Sequence, residues 1–163
     1  MIKRALSLTT IALRKQIPLV SIIAATYAAV TVALGNLGYS WIQVRVSEAL
    51  TPLPYLLGFP AVIGLTLGCT IANAFSPVGL VDLIAGPLLT LLAAVLSWKL
   101  NFRRRLVACI YPVVVNALGV SAYLAGFYGM AYEVNVLTIG VGESIAAVLI
   151  GYPLLRAIER ILK

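Results

Sequence analysis

Long uncharged runs alternate with short basic clusters along this chain. Apolar residues fill 17 to 38, 79 to 98, 106 to 126 and 134 to 155 almost without a break, and each run reaches the roughly 20 residues that a helix needs to cross a hydrocarbon core. A fifth stretch, Ala49 to Phe75, is uncharged but crowded in its first half by Pro52, Pro54, Gly58 and Pro60. Prolines there disfavour one unbroken helix.

The positions of the charges decide how that stretch is read. Lys3, Arg4, Arg14 and Lys15 form one cluster, Lys99 and Arg103 to Arg105 a second, and Arg156, Arg160 and Lys163 a third. A single crossing at 49 to 75 would place the second and third clusters on the opposite side from the first, against the positive-inside rule. Two crossings that turn at Gly58, Phe59 and Pro60 put all three clusters in the cytoplasm. The sequence therefore predicts an all-α membrane protein with six spans, about 17–38, 46–58, 60–75, 79–98, 106–126 and 134–157, and with both termini cytoplasmic. Residues 1 to 16 read as a cytoplasmic or interfacial lead-in to a single membrane domain. The second span is short, about 20 Å as a helix, so it must be broken, re-entrant or sheltered by its neighbours.

Composition agrees with the bilayer. The chain is 62% hydrophobic and 10% charged, with a mean hydropathy of +1.06, whereas a soluble domain carries about a quarter charged residues. The length leaves no room for an appended soluble domain, which argues against catalysis outside the membrane. A net charge of +7 raises nucleic acid as a partner, but the clustering fits a collar facing anionic lipid headgroups instead. Arg14 and Lys15 stand where a signal-peptide cleavage site would be expected. Cys69 and Cys109 have no ligand-like spacing, there is no histidine, and neither a disulfide framework, a metal site nor a cofactor is indicated.

Polar residues inside apolar runs are the candidate chemistry, because an ionisable group at mid-bilayer costs about 2.5 to 3.5 kcal/mol on insertion scales. Glu143 lies in "TIGVGES", where Gly140 and Gly142 permit close approach by a helix or a ligand. Its bland alternative is an interhelical pair with Arg45. Asp82 is either a site residue or an acid meeting a helix N-terminal dipole. Asn73 and Asn116 could read a ligand or bond across helices. Arg45 and Glu48, three apart in the first outer loop, read equally as substrate contacts or as a rim ion pair. Glu48, Asp82, Glu133 and Glu143 sort toward the outer half, and Glu159 sits among cytoplasmic arginines. Ala25, Ala29 and Ala33 form a stripe of small residues on the first span, suited either to internal packing or to docking on another membrane subunit.

Several runs carry a family resemblance: "VRVSEALTPLP" (44–54), "GLTLGCTIANAFSPVGLVDLIAGPLLTLLAA" (64–94), "VVVNALGV" (113–120) and "VGESIAAVLIGYPLL" (141–155). Together they resemble the queuosine-precursor transporter family, written QueT, over nearly all the chain after residue 20. One departure is "GPLLTLLAA", where the family form is closer to "GSLATLLAA". The resemblance implies a substrate-binding S component of an energy-coupling-factor transporter, associated with a membrane-embedded T component and two cytoplasmic ATPases. It implies docking through the alanine face and a 7-deazaguanine ligand, in its 7-cyano or 7-aminomethyl form or as queuine.

On that reading Glu143 accepts the guanine-type N–H edge, and Asp82 or Glu48 meets a cationic aminomethyl group. Asn73, Asn116 and Gln43 read the carbonyl and ring nitrogens, Trp41 stacks, and a loop at 38–47 acts as a lid pinned by Arg45 and Glu48. Accordingly the chain has no GxxxxGK[ST] phosphate loop. An S component for another vitamin and a self-sufficient ion-coupled carrier are the rival readings. A membrane enzyme is disfavoured by the lack of histidine and of a serine beside an evident base.

Overall fold

The structure, a computed structural model, describes residues 2–35 and 44–163, the side chains of 2–15 and of Tyr128 excepted. Helix α1 covers Ile2–Ala33, so the basic lead-in is helical and continuous with the first apolar run. A 3-10 helix at Val46–Leu50 and a one-turn helix α2 at Pro54–Leu57 follow. Then come α3 (Phe59–Asn73), α4 (Leu80–Lys99), α5 (Arg105–Tyr128) and α6 (Tyr132–Glu143). A π-helical segment at Ser144–Ile150 joins α6 to α7 (Gly151–Ile161). No strand occurs among the described residues.

Four helical stretches among the described residues are long and apolar enough to cross a membrane: Gln16–Ala33, Leu80–Lys99, Arg105–Phe127 and Tyr132–Ile161. The apolar helix Phe59–Asn73 is shorter. Ile22, Leu67, Ile84, Leu88, Leu118, Leu137 and Leu149 lie exposed on their outer faces. Water would penalise such a girdle, and hydrocarbon does not.

Helices α1 and α3 pack side by side and run parallel. A Cβ on Gly64 would lie 2.9 Å from the Val20 carbonyl oxygen, and one on Gly68 would lie 2.8 Å from that of Ala24. Only hydrogen fits at these two positions, which lets the backbones touch. The later neighbours are antiparallel. Thr90 of α4 donates to Cys69 of α3, Ser97 of α4 donates to the Ala108 carbonyl of α5, and Asn116 of α5 meets Glu143 of α6. Arg105 at the start of α5 pairs with Glu159 near the end of α7 at 2.5 Å.

Two parallel neighbours require the chain between them to return to the starting end of the bundle. Residues 45 to 58 do this. Arg45 lies against Asp82, in the first turn of α4, while the Tyr55 hydroxyl donates to the Arg103 carbonyl just beyond the other end of α4. The chain then turns at Gly58 (φ 64°), beside Trp98. The short stretch at 46–58, expected to be broken, re-entrant or sheltered, is a 3-10 helix and a single α-turn. A 3-10 rise of about 2.0 Å per residue stretches it further than α-helix would. The surrounding helices enclose it, with Ser47, Glu48, Ala49, Thr51, Pro52, Leu53 and Pro54 all buried. The main core lies beside it, built on Tyr27, Leu53, Val62, Leu65, Cys69 and Leu155.

Candidate functional site

Polar side chains from six parts of the chain converge at the end of the bundle where α3 finishes and α4 begins. Arg45 reaches inward and donates to Asp82 at 3.0 Å and to the Asn73 side-chain oxygen at 3.2 Å. Asp82, 1% exposed, also accepts the Tyr123 hydroxyl of α5 at 2.6 Å. Asn73 closes the group by donating to the Asp82 carbonyl at 2.8 Å. A Cβ on Gly86 would lie 2.1 Å from the Asn73 amide nitrogen, so glycine at this point of α4 is what lets the amide lie against the helix.

Glu48 sits one turn into the enclosed segment. Its two oxygens accept the hydroxyls of Tyr27 in α1 and Thr51. Thr31 of α1 donates to Ser47 at 2.6 Å, tying the same segment to the first helix. Glu143 ends α6, where the backbone passes into the π-helical segment. Such segments recur at functional sites because they reset the direction of the side chains that follow. One Glu143 oxygen accepts from Asn116 at 3.0 Å. The other, Oε2, is buried and has no hydrogen-bond partner. Orphaned buried polar atoms are uncommon and call for a reason.

Arg45, Glu48, Gly86, Thr90, Asn116 and Glu143 line a common cavity, closed by Val120 and Ile139. Its free volume is about 10 Å³, close to the space that holds one water. Any ligand larger than water needs this chamber to widen.

Six of the eight residues expected to contact substrate are buried at this end of the bundle: Arg45, Glu48, Asn116 and Glu143 line the cavity, and Asn73 and Asp82 lie against Arg45 without lining it. The other two, Trp41 and Gln43, lie outside the described residues, as does the expected lid up to residue 43. The expected rim pair of Arg45 with Glu48 is corrected: the salt bridge of Arg45 goes to Asp82, and both residues sit in the interior because the enclosed segment carries them there. Glu133 is exposed, away from the group. Tyr27, Thr51, Thr90 and Tyr123 were not singled out by the sequence. A hydroxyl one turn from a second hydroxyl, Tyr27 and Thr31 in an alanine-rich helix, was the available signal. Among the described residues no group of three or more metal-ligating side chains occurs.

The alanines of α1 divide between two faces. Ala24 and Ala28 are buried, toward Gly68 and α3. Ala25, Ala29 and Ala33 point outward and are exposed.

Comparison with known proteins supplies one finding. Neither a curated protein nor a solved structure gives a significant match. The family model described as "QueT transporter" matches residues 17–160, which takes in every residue of the chamber and nearly the whole chain. A multi-pass membrane protein with a buried polar chamber suits a transporter, and on that match the chain belongs to the QueT transporter family.

Proposed function

We propose that this chain is the substrate-binding S component of an energy-coupling-factor transporter importing a queuosine precursor, a 7-deazaguanine such as the 7-cyano or 7-aminomethyl form or queuine. In this reading the chain crosses the membrane six times, the enclosed segment at 46–58 being the second pass. Both termini and the three basic clusters face the cytoplasm, following the positive-inside rule. The polar chamber then opens toward the outside. A membrane-embedded T component and two cytoplasmic ATPases supply the driving force, and the outward Ala25, Ala29 and Ala33 provide a smooth face for the T component.

The observation that carries the reading is the Glu143 carboxylate, held by Asn116 on one oxygen and open on the other, in the chamber wall of a QueT-family chain. A guanine-type edge presents two adjacent N–H donors, which one carboxylate accepts together. Asn116 and Asn73 offer donor and acceptor pairs for the ring carbonyl and nitrogens. Arg45 and Asp82 hold the opposite wall, and Trp41 and Gln43, close by in sequence, complete the proposed contacts. The flat ring lies between Val120 and Ile139, which fill the apolar part of the wall.

Binding to the purified protein tests this. Wild type should bind 7-deazaguanines and ignore unrelated vitamins, and Glu143→Gln should lose at least about tenfold in affinity, since a charge-assisted bond and the paired acceptor both go. Full affinity in Glu143→Gln would remove Glu143 from the site. No binding of any 7-deazaguanine by wild type would remove the substrate class.

A further inference from the structure

Among the described residues, two carboxylates, Glu48 and Glu143, and one guanidinium, Arg45, line the chamber, and a third carboxylate lies against the guanidinium. Asp82 is matched by Arg45 at 3.0 Å. Glu48 and Glu143 are met only by neutral donors in the hydrogen bonds described: Tyr27 and Thr51 for the first, Asn116 for the second. Glu48 and Glu143 are 1% and 4% exposed, so water does not screen them.

Among the described residues no other side chain brings a matching positive charge to the chamber. Lys99, Arg103, Arg104, Arg105, Arg156, Arg160 and Lys163 belong to the far ends of α4, α5 and α7, where Lys99 stacks on Trp98 and Arg105 meets Glu159. The basic residues of the lead-in lie at the start of α1, many turns before Tyr27. Residues 36–43, Asn-Leu-Gly-Tyr-Ser-Trp-Ile-Gln, contain no charge. A second, independent observation points to a ligand: Glu143 Oε2, more than nine-tenths buried, lines the cavity and has no partner.

Resting on the queuosine-precursor reading and narrowing it, we infer that the chamber selects a positively charged ligand over a neutral one, the 7-aminomethyl form over the 7-cyano form among the 7-deazaguanines, with its ring edge on Glu143 and its ammonium on Glu48. The ammonium supplies the counter-charge that the protein lacks. A nitrile in the same place leaves Glu48 unmatched and gains no charge-assisted bond. The Arg45 guanidinium lines the same chamber, with Asp82 against it to offset its charge.

The test compares three ligands on the full chain in lipid nanodiscs: 7-aminomethyl-, 7-cyano- and 7-hydroxymethyl-7-deazaguanine. The hydroxymethyl compound keeps the size of the aminomethyl one and removes its charge. We expect the aminomethyl form to bind at least about tenfold more tightly than either neutral form, an ammonium–carboxylate contact at intermediate dielectric being worth well over the roughly 1.4 kcal/mol of a factor of ten. Glu48→Gln should bring the three affinities together.

Equal binding of the three by wild type, or tighter binding of a neutral one, overturns the charge selection and leaves the queuosine-precursor reading standing. Failure of all three to bind overturns that reading and the inference with it. A preference for the cation that survives in Glu48→Gln overturns the placement of the ammonium. Should that variant not fold, the wild-type comparison of the aminomethyl and hydroxymethyl ligands decides the charge selection without it.

Discussion

The α1–α3 and α5–α6 interfaces approach the same chamber from opposite sides and are packed by different rules. Between α1 and α3, Gly64 and Gly68 bring backbones into contact, and the polar groups there, Tyr27 and Thr31, both make hydrogen bonds. Between α5 and α6, contact is made by side chains, and Ser121, Asn135 and Glu143 each keep a buried polar atom without a partner. An open apolar groove of about 530 Å³ runs along the outside of this second seam, lined by Val113, Ala117, Leu137, Gly140 and Val141. A groove of about 480 Å³ also runs along the outside of the α1–α3 seam, at Gln16, Val20, Phe59 and Ile63, so the seams differ in backbone contact and in their polar groups, satisfied on the first and unmet on the second. The difference teaches where unmet hydrogen-bonding capacity is held: on the α5–α6 side, at Ser121, Asn135 and Glu143.

Substitutions on the two sides should separate this contrast, and the greatest loss is expected at the group joining the halves. Arg45→Ala leaves Asp82 charged, buried and without its cation, and should lower stability by about 3 to 5 kcal/mol, read from unfolding of the full chain in detergent. On the α1–α3 side, Gly68→Ala forces a methyl group into the Ala24 carbonyl and should lose about 1 to 3 kcal/mol. The same change on the other seam, Gly140→Ala, should be nearly harmless, since a Cβ there meets nothing nearer than Ala117 at 3.6 Å. If Gly68→Ala and Gly140→Ala had the same effect on the unfolding midpoint, the contrast would be wrong. Smallest of all is Ser121→Ala, which removes an unsatisfied hydroxyl and should leave stability unchanged or slightly raised, within about 1 kcal/mol.

The same comparison explains how much of the molecule was readable beforehand. Long apolar runs and basic clusters are properties of consecutive residues, so α4, α5 and the Tyr132–Ile161 stretch were legible to within a few positions. Glu143, Asp82 and Asn116 stood out because an ionisable or amide group in an apolar run is conspicuous wherever it ends up. The partner of Arg45 was not legible. Glu48 lies three residues away and Asp82 lies 37, and the folding of residues 46 to 57 into the interior is what favours the distant acid. Tyr27 and Tyr123 escaped for a different reason: tyrosines in membrane helices resemble interfacial belt residues until their depth is known. Nothing in "ESIAAVLIG" announces a π-helical turn, whose register depends on what the helix packs against.

The enclosed segment at 46 to 57 has a consequence for how the protein is made. With Ser47, Glu48, Thr51 and two prolines buried by other helices, it presents no face that lipid would welcome, and on its own it lacks the apolar length that an insertion machinery recognises. It can settle only once the longer helices have assembled around it. The expected consequence is a late step in maturation in which this short stretch is drawn into place, so that protease should cut nascent chains here before that step and not after it.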